Sequence, residues 1–304
     1  MEALSVVDAH VHFWDPAALS YPWLRTTPAL DRPHRPRDYA AAHAGLPVEG
    51  CVFVEANARP DQNLDEARAV ERLARAEPRI AAIVAFVDLT DRVGRSESLD
   101  RLAATPRVRG VRQNIQGHPP GFCLAAAFVE GVREVGRRGL PFDLCATHDQ
   151  LDEVVALVHR CPDTRFVLDH CGKPAIREGR LEPWRGAIDR LAAYDTVRCK
   201  VSGLLTEAAP DRRGDAELLP YVEHVVERFG PARVMYGSDW PVVNLAGSGA
   251  EWYAFTRRFT RGWGADDTRR FYRDNAVRFY DLPVSTSADA AIGRRDSDRG
   301  KGHD

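Results

Sequence analysis

Eight short runs rich in apolar and β-branched residues, each followed by a stretch patterned for a helix, constrain this chain more than any other feature. The runs are LSVVDAHVHF (4–13), GCVFVEAN (50–57), IAAIVAFVDL (80–89), VRGVRQNI (108–115), LPFDLCAT (140–147), RFVLDHCG (165–172), VRCKVSGL (197–204) and ARVMYGSDW (232–240). Between them lie DQNLDEARAVERLARAE, AFVEGVREVGRRG, HDQLDEVVALVHRC and DAELLPYVEHVVERFG, whose apolar residues recur at spacings of three and four. Near-continuous apolar strands have no face to show to water, so they belong in a parallel sheet covered by helices. Eight such units in about 240 residues predict an α/β fold, a distorted (β/α)8 TIM barrel. An open doubly wound sheet is the competing architecture, but no GxGxxG follows the first run.

SGAEWYAFTRRF and DDTRRFYRDNAVRFY, after the eighth run, read as closing helices, so one domain is expected over 1–283. The tail 284–304 (VSTSADAAIGRRDSDRGKGHD) is polar and charged, and disorder is expected there. Lys plus Arg number 42 against 44 Asp plus Glu, which gives no electrostatic reason for a nucleic acid or an anionic membrane as partner. A small-molecule substrate is the expected partner, and the sequence leaves the oligomeric state open. The opening MEALSVVDAH lacks the basic and apolar regions of a signal peptide, so a cytoplasmic location is expected. Six cysteines without CxxC spacing read as buried free thiols.

In a barrel of this kind chemistry sits at the C-terminal ends of the strands. Alternation along the first strand puts Asp8, His10 and His12 on one face, and two imidazoles at a strand end point to a site rather than to core packing. His170 ends the sixth run before a Gly and a Pro that turn the chain, and Asp239 ends the eighth behind the small residues Gly237 and Ser238. Pro241 and the irregular segment after it argue against Asp239 being a helix N-cap. Arg112 shares a face with Asn114 on the fourth strand and is a candidate for polarising a carbonyl, or for an inter-strand ion pair. Lesser candidates for substrate contact are Glu55, Asn57, Lys173, Lys200 and Ser202, with Trp14, Trp23 and Trp240 as a platform for a sugar ring or as packing.

His-x-His on strand one, His on strand six and Asp on strand eight resemble the mononuclear site of the amidohydrolase superfamily. DAHVHFWDPAALSYPWL, GCVFVEAN, RGVRQNIQG, DHCGKP, KVSGL and YGSDWPV narrow the likeness to the amidohydrolase-2 branch, which holds L-fuconolactonase and other sugar-lactone hydrolases, over about residues 5 to 282. The resemblance implies that Asp239 activates water, and that His10, His12 and His170 surround the substrate carbonyl or one divalent metal ion, zinc being the expected one. Asp239 would share in holding that ion. Binuclear members of the superfamily need a carboxylated Lys or a Glu closing strand four, and VRGVRQNI has neither. Mononuclear members usually add a His after strand five, where His148 is available, although it immediately precedes a helix. The lactonase branch is known for members that need no metal, so the resemblance implies either that no metal is required or that one divalent ion is bound: an ester needs less activation than an amide, and the histidines can serve as hydrogen-bond donors.

The expected activity is therefore the opening of an aldono-1,4- or 1,5-lactone to the aldonic acid, in carbohydrate metabolism. The alternative within the superfamily is a metal-dependent decarboxylase or hydrolase of an aromatic or dicarboxylic acid. That reading calls for tightly bound zinc and several arginines at the mouth, where only Arg112 is clearly placed.

Overall fold

The computed structural model describes residues 4–283 and contains one eight-stranded sheet in chain order: β1 (Val6–Val11), β2 (Val48–Val54), β3 (Ile80–Phe86), β4 (Val108–Arg112), β5 (Phe142–Leu144), β6 (Phe166–Leu168), β7 (Val197–Val201) and β8 (Val234–Tyr236). All neighbouring pairs are parallel. The two edges meet just past β8, where the His12 N–H donates to the Trp240 carbonyl (2.8 Å) and the Asp239 N–H to the His10 carbonyl (2.9 Å). The sheet is thus a (β/α)8 barrel, as the pattern of runs predicts. The segment 284–304, expected to be disordered, lies outside the described residues. Among the described residues no helix is long and apolar enough to cross a membrane.

The helices Asn63–Ala76, Ala126–Arg137, Leu151–Arg160 and Asp215–Phe229 stand where the three-and-four spacing places them. Their apolar faces pack on the outward residues of the strands, such as Phe53, Phe142, Phe166 and Val197, in one continuous core. Each large side chain buried there contributes about 1.5–3 kcal/mol. Strands five and six are shorter than their runs. After β5 the Cys145 carbonyl accepts from Ile115 and Gln116, and after β6 the chain enters a left-handed turn.

Inside the barrel, Val7, Ala9, Val52, Val54, Val84, Val167 and Met235 form a second apolar cluster. The last helix, Asn275–Tyr280, completes it with Ala276, Phe279 and Tyr280. The Tyr280 hydroxyl reaches the buried carboxylate of Asp143 at 2.9 and 3.0 Å. The closing helices therefore plug one end of the barrel, and the polar residues occupy the other.

One expectation about strand faces is corrected. Asp8 does not share a face with His10 and His12, because the pairing of β1 with β2 shifts register between Asp8 and Val11. Such an irregularity inserts a residue and reverses the alternation beyond it. Asp8 instead accepts from Tyr39 Oη (2.9 Å) and from the Ser238 N–H (2.8 Å), outside the site.

Candidate active site

Of the two β1 histidines, His12 lines the mouth, whereas His10 is fully buried directly beneath it. His12 Nδ1 lies 2.7 Å from the Val54 carbonyl, an acceptor only, so the neutral ring carries its proton on Nδ1 and turns the Nε2 lone pair inward. His10 Nε2 is 3.2 Å from that His12 Nε2. Gly237, on the neighbouring segment, is required for this approach: a Cβ there would lie 2.9 Å from His10 Cβ.

His170 enters from the β6 side on an unusual backbone. His170, Cys171, Gly172 and Lys173 all have positive φ (54°, 53°, 70° and 45°), a left-handed turn of four consecutive residues. For residues with a Cβ this region costs about 1–2 kcal/mol each, and such strain is typically kept at functional sites. The turn aims both His170 and Lys173 into the mouth. Ser202 Oγ lies 2.9 Å from His170 Nδ1 and fixes the ring. Asp239 also has positive φ (59°), and its Oδ1 stands 3.5 Å from His12 Nε2 and 3.8 Å from His10 Nε2.

Burial sets the charge states. It pushes the Asp239 carboxyl up, but the facing His170, His12 and His10 rings outweigh it and hold the group below the usual carboxylate range. Asp239 is ionised at neutral pH. Burial drives His170 down to about 4 against the pull of Asp239 and Asp169, and drives His10 well below its ordinary value against Asp169, so both are neutral.

Beneath the rings lies a layer of buried charges. Lys200 Nζ contacts Asp143 Oδ2 (2.6 Å), Asp169 Oδ1 (3.0 Å) and His10 Nδ1 (3.3 Å). Arg112 spends its whole guanidinium inward: Nε on Glu55 Oε1 (2.7 Å), one terminal nitrogen on Asp169 Oδ2 (3.2 Å) and the other on the Glu55 carbonyl (2.6 Å). Buried ion pairs add little net stability but fix geometry, because removing one partner strands the other.

The mouth is a cavity of about 130 Å³. Of the residues singled out in the sequence, it is lined by His12, Trp14, Trp23, Asn57, Arg112, Asn114, Lys173, His170 and Asp239. Trp14 and Trp23 meet edge to face with ring centroids 5.2 Å apart, and Asn114 donates to Asn57 Oδ1 (2.9 Å). Others fall elsewhere. Glu55 is fully buried behind the wall as the partner of Arg112, and Lys200 and Ser202 stand behind the histidines. Trp240 does not line the cavity: it packs against Phe13, His34 and Tyr39. His148 lies on the turn before the helix Leu151–Arg160, and Cys145 takes the inward position at the end of strand five. All six cysteines are buried and unpaired. Sequence reasoning missed Asp143 and Asp169; a charge at an inward position of an otherwise apolar strand is the signal that marks them.

The donor set fits one metal ion. Ligand atoms on a tetrahedral ion at about 2.0–2.1 Å lie about 3.3 Å from one another, close to the 3.2, 3.5 and 3.8 Å separations among His10 Nε2, His12 Nε2 and Asp239 Oδ1. Ligand atoms of His10, His170 and Asp239 also lie within 4.8 Å of one another.

The sequence profile described as amidohydrolase matches residues 7–282. L-fucono-1,5-lactonase of Burkholderia ambifaria is 34% identical over 283 residues, covering 90% of this chain and 94% of that protein. The L-fucono-1,5-lactonase of Burkholderia multivorans is 33% identical over 298 residues, covering 93% and 98%. A solved amidohydrolase from Burkholderia multivorans with bound zinc superposes with a TM-score of 0.83 at 32% identity, over 92% of this chain and all of that one.

Proposed function

The chain belongs to the amidohydrolase family, and on that premise we propose that it opens the ring of a neutral sugar lactone to give the aldonic acid. The observation that carries this reading is an ionised carboxylate, Asp239, set 3.5 and 3.8 Å from two imidazoles in a cavity walled by amides and two tryptophans. Asp239 takes a proton from water, and the water oxygen bonds to the lactone carbonyl carbon. His170 faces the carbonyl oxygen as it gains charge, and such a donor contributes about 10²–10³ in rate, while the buried His10 faces the Asp239 carboxylate from beneath. The bond from the carbonyl carbon to the ring oxygen then breaks, and that oxygen takes up the proton held by Asp239. A hydroxy acid leaves and Asp239 is restored.

Asn57, Asn114 and Gln116 offer amide donors and acceptors to sugar hydroxyls, while Trp14 and Trp23 offer apolar faces to the ring. The charge inventory argues against a dicarboxylate. Arg112 is already committed to Glu55 and Asp169, and Lys173 faces Glu207 at 3.8 Å. His10, His12 and Asp239, with His170 beside them, are the residues that would hold a zinc ion, which supplies Lewis-acid polarisation of a carbonyl when bound. We place the activity in cytoplasmic sugar catabolism, in keeping with six unpaired cysteines.

A pH-indicator screen of aldono-1,4- and 1,5-lactones, with and without chelator, tests the reading. Hydrolysis that survives chelation and falls by about 10²–10⁴ in Asp239→Asn is the expected result. Absence of turnover on every lactone, together with release of carbon dioxide from an aromatic acid, would replace this reading with the decarboxylase one.

A further inference from the structure

His10, His12 and Asp239 bring three electron-pair donors together in one small space. The Val54 carbonyl commits a neutral His12 to Nδ1–H, so its Nε2 presents a lone pair; Asp239 presents a carboxylate oxygen. If His10 Nε2 also presented a lone pair, three donors separated by 3.2 to 3.8 Å would face one another with nothing between them. The space among them has to hold a cation or a proton. Without a metal, the proton belongs on His10 Nε2, donated toward His12 Nε2 and Asp239.

That requirement passes through the ring to its other nitrogen. With the proton on Nε2, His10 Nδ1 is an acceptor and needs a donor beneath it, which is Lys200 Nζ at 3.3 Å. With a metal on Nε2 the proton must sit on Nδ1 and needs an acceptor. Asp169 Oδ1 lies 3.3 Å from His10 Nδ1. That oxygen is ion-paired with Lys200 but makes no aligned hydrogen bond of its own, although it is fully buried. His10 therefore rests on one donor and one acceptor at equal distance, a floor that serves either tautomer.

We propose that Lys200 is a positioning residue that fixes His10 as the Nε2–H tautomer, so that the ring is a hydrogen-bond donor when no metal is bound, and that Asp169 receives His10 Nδ1–H when the ring ligates one. The proton leaves Nε2 and appears on Nδ1, so His10 is neutral in both states. This deepens the lactonase reading by giving Asp239, the carboxylate that activates water, a fixed donor beneath it when no metal is bound. It rests on that reading only for the donor's use, since the tautomer is read without substrate.

The test is long-range ¹H–¹⁵N correlation on the full chain with ¹⁵N-labelled histidine, first after chelation and then with added zinc. The metal-free protein is expected to show His10 as Nε2–H and His12 as Nδ1–H, and zinc to convert His10 to Nδ1–H. A metal-free His10 carrying Nδ1–H, or a His12 imidazolium in its place, overturns the proposal. Zinc affinity measured by chelator competition gives a second readout. Lys200→Met paired with Asp143→Asn, which removes the cation together with one carboxylate partner and leaves Asp169 paired with Arg112, should raise it about tenfold, and Asp169→Asn should lower it by about 10–100-fold. An affinity unchanged in the paired variant also overturns it. Failure to hydrolyse any lactone would sink the functional reading and leave the tautomer result standing, whereas the converse failure would do the opposite.

Discussion

Glu66 offers a prediction whose size follows from the structure. It lies on the helix Asn63–Ala76, is 2% exposed, and holds the Ala56 N–H with its two oxygens at 3.2 and 3.3 Å. Ala56 stands between Glu55, the partner of Arg112, and Asn57, on the cavity wall. Burial, and then the neighbouring Glu55 carboxylate, push the Glu66 carboxyl up to about 8 from its ordinary 4.5. The folded protein thus keeps a proton that the unfolded chain has already lost. The stability tied to that proton is complete below about pH 4.5 and is lost as pH rises through about 8. At about 1.4 kcal/mol per tenfold difference in proton affinity, the loss is on the order of 4–5 kcal/mol. Glu66→Gln keeps an acceptor for Ala56 and has nothing to ionise. The variant should match the parent to within about 1 kcal/mol near pH 4.5 and exceed it by about 4 kcal/mol near pH 8.5. Urea denaturation of both proteins across that range measures the gap, and titrating groups that do not interact with Glu66 cancel in the difference. A gap that stays constant with pH, or that narrows as pH rises, would refute the reasoning.

Two further substitutions probe how the rings are held. Gly203 has φ of 67°, and a Cβ there would lie 2.5 Å from His170 Nδ1, so Gly203→Ala should lower turnover at least about tenfold and cost about 1–3 kcal/mol. Gly179 has a similar φ of 64° and nothing within 4 Å of its Cβ position, so Gly179→Ala should cost only the backbone strain; equal activity in the two variants would remove the steric argument. Arg112→Lys replaces a planar fork by a point charge and leaves Glu55 or Asp169 short of a partner. A loss of about 3–5 kcal/mol in denaturation is expected, and one under about 1 kcal/mol would show that the fork is dispensable.

The barrel was readable because its strands are apolar on both faces, a pattern that survives errors of a few residues at each end. His10, His12, His170 and Asp239 were readable because each ends such a run, and the fold gathers strand ends in one place. The layer beneath them was harder to see. Asp143 and Lys200 are 57 residues apart, and each interrupts its strand in a way that period counting treats as noise. Local backbone events defeated alternation elsewhere: the register shift in β1 turned Asp8 away, and positive φ at Asp239 was invisible in composition. Trp240 reads as a rim aromatic because it follows Asp239, yet its ring turns into the core between Tyr39 and His34.

The seam between β1 and the segment after β8 has a consequence for how the protein comes into being on the ribosome. His10 and His12 emerge more than two hundred residues before Asp239, the Trp240 carbonyl that receives the His12 N–H, and Tyr280 under Asp143. Since domains assemble from the N-terminus as synthesis proceeds, a nascent chain waits with β1 lacking its second neighbour until the segment after β8 is available. On the proposed mechanism, a fragment ending before Asp239 should not turn over substrate, so activity would double as a report that translation reached the closing strand.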